Sequence, residues 1–302
     1  MENSNIYALG WLRDLPSFKD YTADTKNVSD SLHVAGETES IKNMLKTAGV
    51  TTATKPALPT KKDLRTWCSP IENQESIGSC TANAGVGIIE YFEKRAFGKH
   101  IDASRLFLYK VTRNLLKWNG DTGAYLRSTI GAMTLFGVPP EEYWPYIIGN
   151  YDIEPSAFCY AFGQNYKAIT YYRLDPSGTK TTDLLMSIKS HLNSGLPSMF
   201  GFSVYNSIYS TNDGTIPYPS ANDPMVGGHA VMTVGYDDKL EIPDASGTTK
   251  TKGALLIRNS WGKGWGDKGY GWLPYDYVLN GLAVDWWVVL KNAWINTGNF
   301  KA

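Results

Sequence analysis

Hydrophobic periodicity changes character part-way along this chain, and that change does most to fix what it can fold into. From Thr81 to Phe97 apolar residues fall on most faces of a helical repeat (Ala82, Val86, Ile88, Ile89, Phe92), as in a helix buried nearly all round. Two more helical patterns follow. One starts after Ser104 as cap and carries Leu106, Val111, Leu115 and Trp118. The other runs from about Tyr125 through Leu126, Ile130 and Met133 and stops at Gly137, before Pro139-Pro140. A further helix over Thr182 to Leu192 precedes β-branched and aromatic runs that read as strands: Ser198 to Val204, Ala230 to Tyr236, Ala254 to Arg258, Tyr270 to Leu273 and Trp286 to Leu290. Helices first and strands later point to an α+β fold with the two kinds segregated, not an alternating parallel sheet.

Residues 1 to 57 read differently, as a leader. Thr22 to Ser40 is rich in Thr, Asp, Ser and Asn and offers little core. Ile41, Met44, Leu45 and Ala48 form one short helical face closed by Gly49, and Thr51 to Pro59 reads as a linker. The organisation is then a leader over 1–57, a helical lobe over 58–170 and a β-rich lobe over 171–302. The 302 residues are 42% hydrophobic, enough for a sizeable core. Lys plus Arg and Asp plus Glu both number 29, and no basic run is interleaved with aromatics, which argues against a nucleic-acid partner. The longest strongly apolar run, Trp286 to Leu290, falls far short of the roughly 20 residues of a membrane helix. No basic stretch followed by an apolar core marks a secretory signal at the N-terminus, so the compartment stays open.

Three cysteines, Cys68, Cys80 and Cys159, are spaced too widely for CxxC chemistry, and neither metal nor cofactor is expected. If Cys68 pairs with Cys159, Cys80 is left as a free thiol. Cys80 follows Gly78-Ser79 and immediately precedes the buried helix, where the helix dipole favours a thiolate. The plainer alternative is a small buried hydrophobe. His33 lies in the polar leader, His100 just past the buried helix, and His191 in a last helical turn where its charge suits the dipole. His229 instead follows Gly227-Gly228 and opens the run Ala230 to Tyr236, a rigid mount for a catalytic base. Asn259 ends the strand Ala254 to Arg258, and an amide there can accept from one imidazole nitrogen and leave the other facing sulfur. Trp261 could cover that bond. Gly264, Gly266 and Gly269 match GxGxxG, but a β-like run follows in place of a helix, so a dinucleotide site is not expected. Asn27-Val-Ser29 is a glycosylation sequon.

The segments Gln74-Glu-Ser-Ile-Gly-Ser-Cys80-Thr-Ala82, Gly228-His229-Ala230 through Gly235-Tyr236, and Asn259-Ser-Trp-Gly-Lys-Gly-Trp-Gly266 closely resemble the three active-site segments of papain-family cysteine peptidases, in that family's order. His229 and Asn259 lie 149 and 179 residues after Cys80, which implies insertions. The likeness runs from Leu58-Pro59 to about Leu290, and Gly10-Trp11-Leu-Arg-Asp-Leu-Pro16 resembles the short leader of bacterial members. The resemblance implies a two-lobed papain-like fold with a cleft between the lobes, and a thioester route in which Cys80 attacks, His229 serves as base and acid, and Asn259 orients the ring. It also implies that Gln74 and the Cys80 N–H hold the oxyanion, that Asp121, Thr122 and Gly123 with Gly228 bind an extended peptide backbone, and that Trp261 borders the leaving-group side. Cys80 and His229 would then rest as an ion pair.

Departures qualify the likeness. Thr81 replaces the usual aromatic after the nucleophile, and Ile77 stands where a half-cystine is customary. The substrate is expected to be a peptide or protein. The leader, with Trp11, Leu12, Leu15 and Phe18 as anchors, either lies in the cleft as an intramolecular inhibitor or packs elsewhere on the domain. A transferase passing the acyl group to an amine, or a peptide-binding pseudoenzyme, would use the same residues.

Overall fold

The computed structural model describes residues 7–25, 40–50 and 57–292. His33, the Asn27 sequon and most of the expected linker lie outside them. The first helix, α1 (Ile41–Thr47), is capped by the Ser40 side chain and buries Ile41 and Leu45. The long helix α2 (Cys80–Phe97) starts at the thiol itself; every residue from Cys80 to Tyr91 is buried. It ends at Gly98, whose left-handed φ of 72° turns the chain away. Helix α3 (Arg105–Leu116) begins where Ser104 accepts from the Phe107 N–H at 3.1 Å, and α4 (Leu126–Leu135) packs beside it. A short α5 (Ala157–Gly163) and the expected helix α6 (Thr181–Asn193) follow.

Among the described residues seven strands form one antiparallel sheet: β1 (Lys61–Asp63), β2 (Ala168–Arg173), β3 (Ser198–Tyr205), β4 (Met225–Pro243), β5 (Lys250–Arg258), β6 (Tyr270–Pro274) and β7 (Ala283–Asn292). Their order is β2-β7-β3-β4-β5-β6, with β1 also on β4, so strands from both halves of the chain share the sheet. A five-residue helix α7 (Tyr275–Leu279) links β6 to β7. Strand β4 starts ahead of the Gly227-Gly228 pair and runs far past Tyr236, because it pairs first with β3 and then with β5. Helix α2 lies against β4, and the core is completed by rings such as Phe200 stacked on Trp286 at 3.8 Å. The fold is α+β. Among the described residues no helix is long and apolar enough to cross a membrane.

Cys68, Cys80 and Cys159 are all free and buried, so the conditional Cys68–Cys159 pairing does not form. His191 also departs from expectation. Instead of a cation at a helix end it is buried against Tyr172, and burial pushes its pKa down to about 4.

Candidate active site

Three elements meet at one point. Cys80 is the first residue of α2, His229 lies in β4 paired with Phe202 of β3, and Asn259 leaves β5 one residue after Arg258. All three are buried. His229 Nε2 donates to Asn259 Oδ1 at 2.8 Å, which leaves Nδ1 as the nitrogen with no partner among the described residues. That bond fixes the tautomer: Nε2 carries the proton and Nδ1 keeps its lone pair. Asn259 Oδ1 also accepts the Ser260 N–H at 2.7 Å, which orients the amide. Trp261 stacks on the imidazole at 4.5 Å and covers the pair. The sulfur of Cys80 accepts the Ala230 N–H at 3.4 Å, from the residue next to His229. Gln74 is fully buried and held by Ser260, whose hydroxyl donates to its Oε1 at 2.6 Å, so its Nε2 is aimed.

The leader enters this site. Residues 7–12 run through it extended, and Trp11 bridges Ala124 in the parallel sense. Gln74 Nε2 and Trp261 Nε1 both donate to the Ala8 carbonyl, at 3.1 and 3.2 Å. The N–H groups of Gly10 and Trp11 share the Gly228 carbonyl at 3.2 Å each, Leu12 N–H reaches Ala124 O at 3.1 Å, and Ala124 N–H reaches Gly10 O at 2.8 Å. Gly10 must lack a side chain, since a Cβ there would overlap the Gly78 main chain, and one at Gly123 would overlap Gly10. Tyr7 stacks on Trp261 at 4.6 Å and on Tyr209 at 6.1 Å. The indole of Trp11 is 5% exposed and donates to Asp285 Oδ2 at 3.1 Å.

Beyond the cleft, charge takes over from apolar contact. Arg127 ion-pairs with Asp14 and Asp20, and the Arg173 N–H reaches Tyr21 O at 2.8 Å. Leu15 and Phe18, expected as apolar anchors, are 71% and 94% exposed. The reason is local: a turn at Ser17 to Asp20 directs the Asp20 carboxylate at both arginines, and the apolar side chains then face solvent.

The covered site is electrically quiet. Burial pushes the Cys80 thiol up to about 12, outweighing the main-chain N–H groups of Ala230, Thr81 and Gly10 that favour thiolate. Burial likewise drives His229 down to about 4, against its bond to Asn259. With the leader seated both groups are neutral at pH 7, in place of the expected ion pair.

Among the other expected residues, Gly228 supplies its carbonyl to the leader as just described. Asp121 is spent elsewhere: its carboxylate accepts from Gly78 N–H at 2.9 Å and Tyr109 OH at 2.5 Å, bracing the loop beside Cys80. Thr122 turns its hydroxyl onto the Gly123 carbonyl. The main-chain contacts come from Ala124, which sequence reasoning missed. Asp285 was missed too, because a lone acid in an apolar strand carries no local signal.

Residues 58–295 match the family described as Papain family cysteine protease. The chain belongs to the papain family. A solved structure of xylellain, a cysteine protease from Xylella fastidiosa, is 32% identical with a TM-score of 0.68, covering 96% of this chain and 97% of that one. An uncharacterized peptidase C1-like protein of Acanthamoeba polyphaga mimivirus is 33% identical over 224 residues, 72% of this chain and 68% of its own length. Cathepsin K of Gallus gallus is 28% identical over 210 residues, 68% of this chain but 54% of its own length, so this papain-family chain spans about half of that relative.

Proposed function

We propose that the chain is a cysteine peptidase held inactive by its own residues 7–25. The observation that carries the catalytic reading is the 2.8 Å bond from His229 Nε2 to Asn259 Oδ1, which leaves Nδ1 free beside the strand residue whose N–H meets the Cys80 sulfur. In this reading the Cys80 thiol gives its proton to His229 Nδ1, its sulfur attacks a peptide carbonyl, and the oxygen takes up charge facing Gln74 Nε2 and the Cys80 N–H. His229 passes that Nδ1 proton to the departing amine as the carbon–nitrogen bond breaks. Water then enters, His229 removes its proton, and the thioester is hydrolysed.

The inhibitory reading rests on direction as well as occupancy. A productive peptide sets its acyl side against Gly228 and Ala124 and its leaving side against Trp261. The leader has Ala8 at Trp261 and Leu12 at Ala124, so it runs the opposite way and presents no bond with its amine on the leaving side. The Ala8 carbonyl takes the Gln74 donor that an oxyanion needs. An epoxide inhibitor of cysteine peptidases should label Cys80 once the leader is displaced and leave Cys80→Ala unlabelled. Neither labelling nor peptide turnover after displacement would refute the catalytic reading.

A further inference from the structure

Trp11 fills a slot whose walls are main chain and whose floor is charged. A Cβ at Gly201 would overlap the indole ring, and one at Gly228 would overlap the Trp11 carbonyl and ring edge. The slot therefore admits a flat bicyclic ring packed directly on strands β3 and β4. At its base Asp285 is fully buried. Its Oδ2 accepts from Trp11 Nε1 at 3.1 Å and its Oδ1 from Trp287 Nε1 at 2.8 Å. The backbone of Asp285 is fixed as well: its φ is +63°, left-handed within a strand, and its N–H is held by Asp175 Oδ2 at 2.7 Å. A side chain held in so unusual a conformation is placed by everything around it.

Resting on the peptidase reading, we propose that Asp285 makes this slot select peptides carrying an indole, tryptophan, as the second residue on the acyl side of the cut bond. That position follows from the leader, in which Gly10 lies over Cys80 and its neighbour Trp11 enters the slot. When the leader departs, Oδ2 loses its donor. An apolar side chain fills the space but leaves a buried acceptor unpaired, whereas an indole satisfies it; sites built around such a bond discriminate strongly against analogues that lack the donor. A cationic side chain is less suited. Arg173 already lies 3.3 Å from Oδ1, and the Arg127 guanidinium stands over the Trp287 ring at 6.0 Å, so a third cation would enter next to two.

The test uses the full chain carrying Cys80→Ala to stop turnover and Trp11→Ala to empty the slot. Calorimetry compares capped tripeptides with tryptophan, 3-benzothienylalanine (the same shape with sulfur in place of N–H) or arginine at that position. The tryptophan peptide should bind at least about 10-fold tighter than the benzothienyl one, and Asp285→Asn should bring the two within about twofold, since the two indoles sit on different carboxylate oxygens and an amide whose oxygen stays on Trp287 turns an NH2 donor towards the peptide's indole. Asparagine tolerates the left-handed backbone, so the fold should survive. Gly201→Ala should weaken both aromatic peptides together. Equal binding of the two isosteres by the chain with Asp285 intact, or tighter binding of the arginine peptide, overturns the proposal whether or not Asp285→Asn folds. The same peptides offered to the Trp11→Ala chain with Cys80 intact separate the two readings: a preserved affinity ratio without turnover rejects catalysis and sustains the slot's selectivity.

Discussion

At the scale of residues, protonation follows from what covers the thiol. Because burial holds Cys80 up to about 12 under the leader, thiolate there accumulates only as pH rises towards that value. Iodoacetamide modification of Cys80, located by peptide mass, should climb across the alkaline range in the intact chain. With the leader displaced, the helix dipole and a protonated His229 stabilise the thiolate, and a plateau should extend below pH 7. Matching profiles would contradict this. Gln74→Ala should lower kcat by about 100-fold or more while epoxide labelling of Cys80 persists, because it removes an oxyanion donor and leaves the nucleophile. Cys80, His229 and Asn259 were legible because each stands at the edge of a strong helix or strand pattern, whereas Gln74, in a loop, came only from the resemblance to the papain family. Ala124 and Asp285 were not, since one acts only through its main chain and the other through a pocket formed by distant strands. Asp121 misled because its polar side chain braces a loop.

Among the elements, the leader is held by two unlike contacts: an aromatic anchor in the slot and an ionic clasp at Arg127 and Arg173. Removing a buried tryptophan side chain typically costs about 3–5 kcal/mol, so Trp11→Ala should raise the open fraction about 100-fold or more. The clasp is partly exposed, so Arg127→Ala should have a smaller effect, and one that fades in high salt. Rates of Cys80 labelling at low and high ionic strength measure both. Helices α2, α3, α4 and α6 and five of the strands were readable from periodicity. Helices α5 and α7 were too short for a repeat, and β1 and β2 stand among helices, so only tertiary pairing reveals them.

In the whole molecule, the two chain halves are joined by a buried charge pair behind the site. Glu90 of α2 faces Arg258 of β5 through Ser69, whose hydroxyl donates to Glu90 at 2.5 Å and accepts from Arg258 at 2.9 Å. Burial raises the Glu90 pKa from 4.5 to about 7 despite Arg258. A carboxyl raised on folding adds stability that is complete below about 4.5 and lost as pH rises through about 7. Glu90→Gln should therefore flatten the decline in thermal midpoint across that window, and an unchanged slope would show that Glu90 is not its source. The segregated α+β layout was legible in the change of periodicity, but the sharing of one sheet by both halves was not, because strand pairing is non-local. The decisive measurement is the rate at which a cysteine-peptidase epoxide labels Cys80 in the full chain, in Trp11→Ala and in Cys80→Ala. Slow labelling of the first, labelling about 100-fold faster of the second and none of the third is expected; equal rates in the first two would mean that the leader does not close the site.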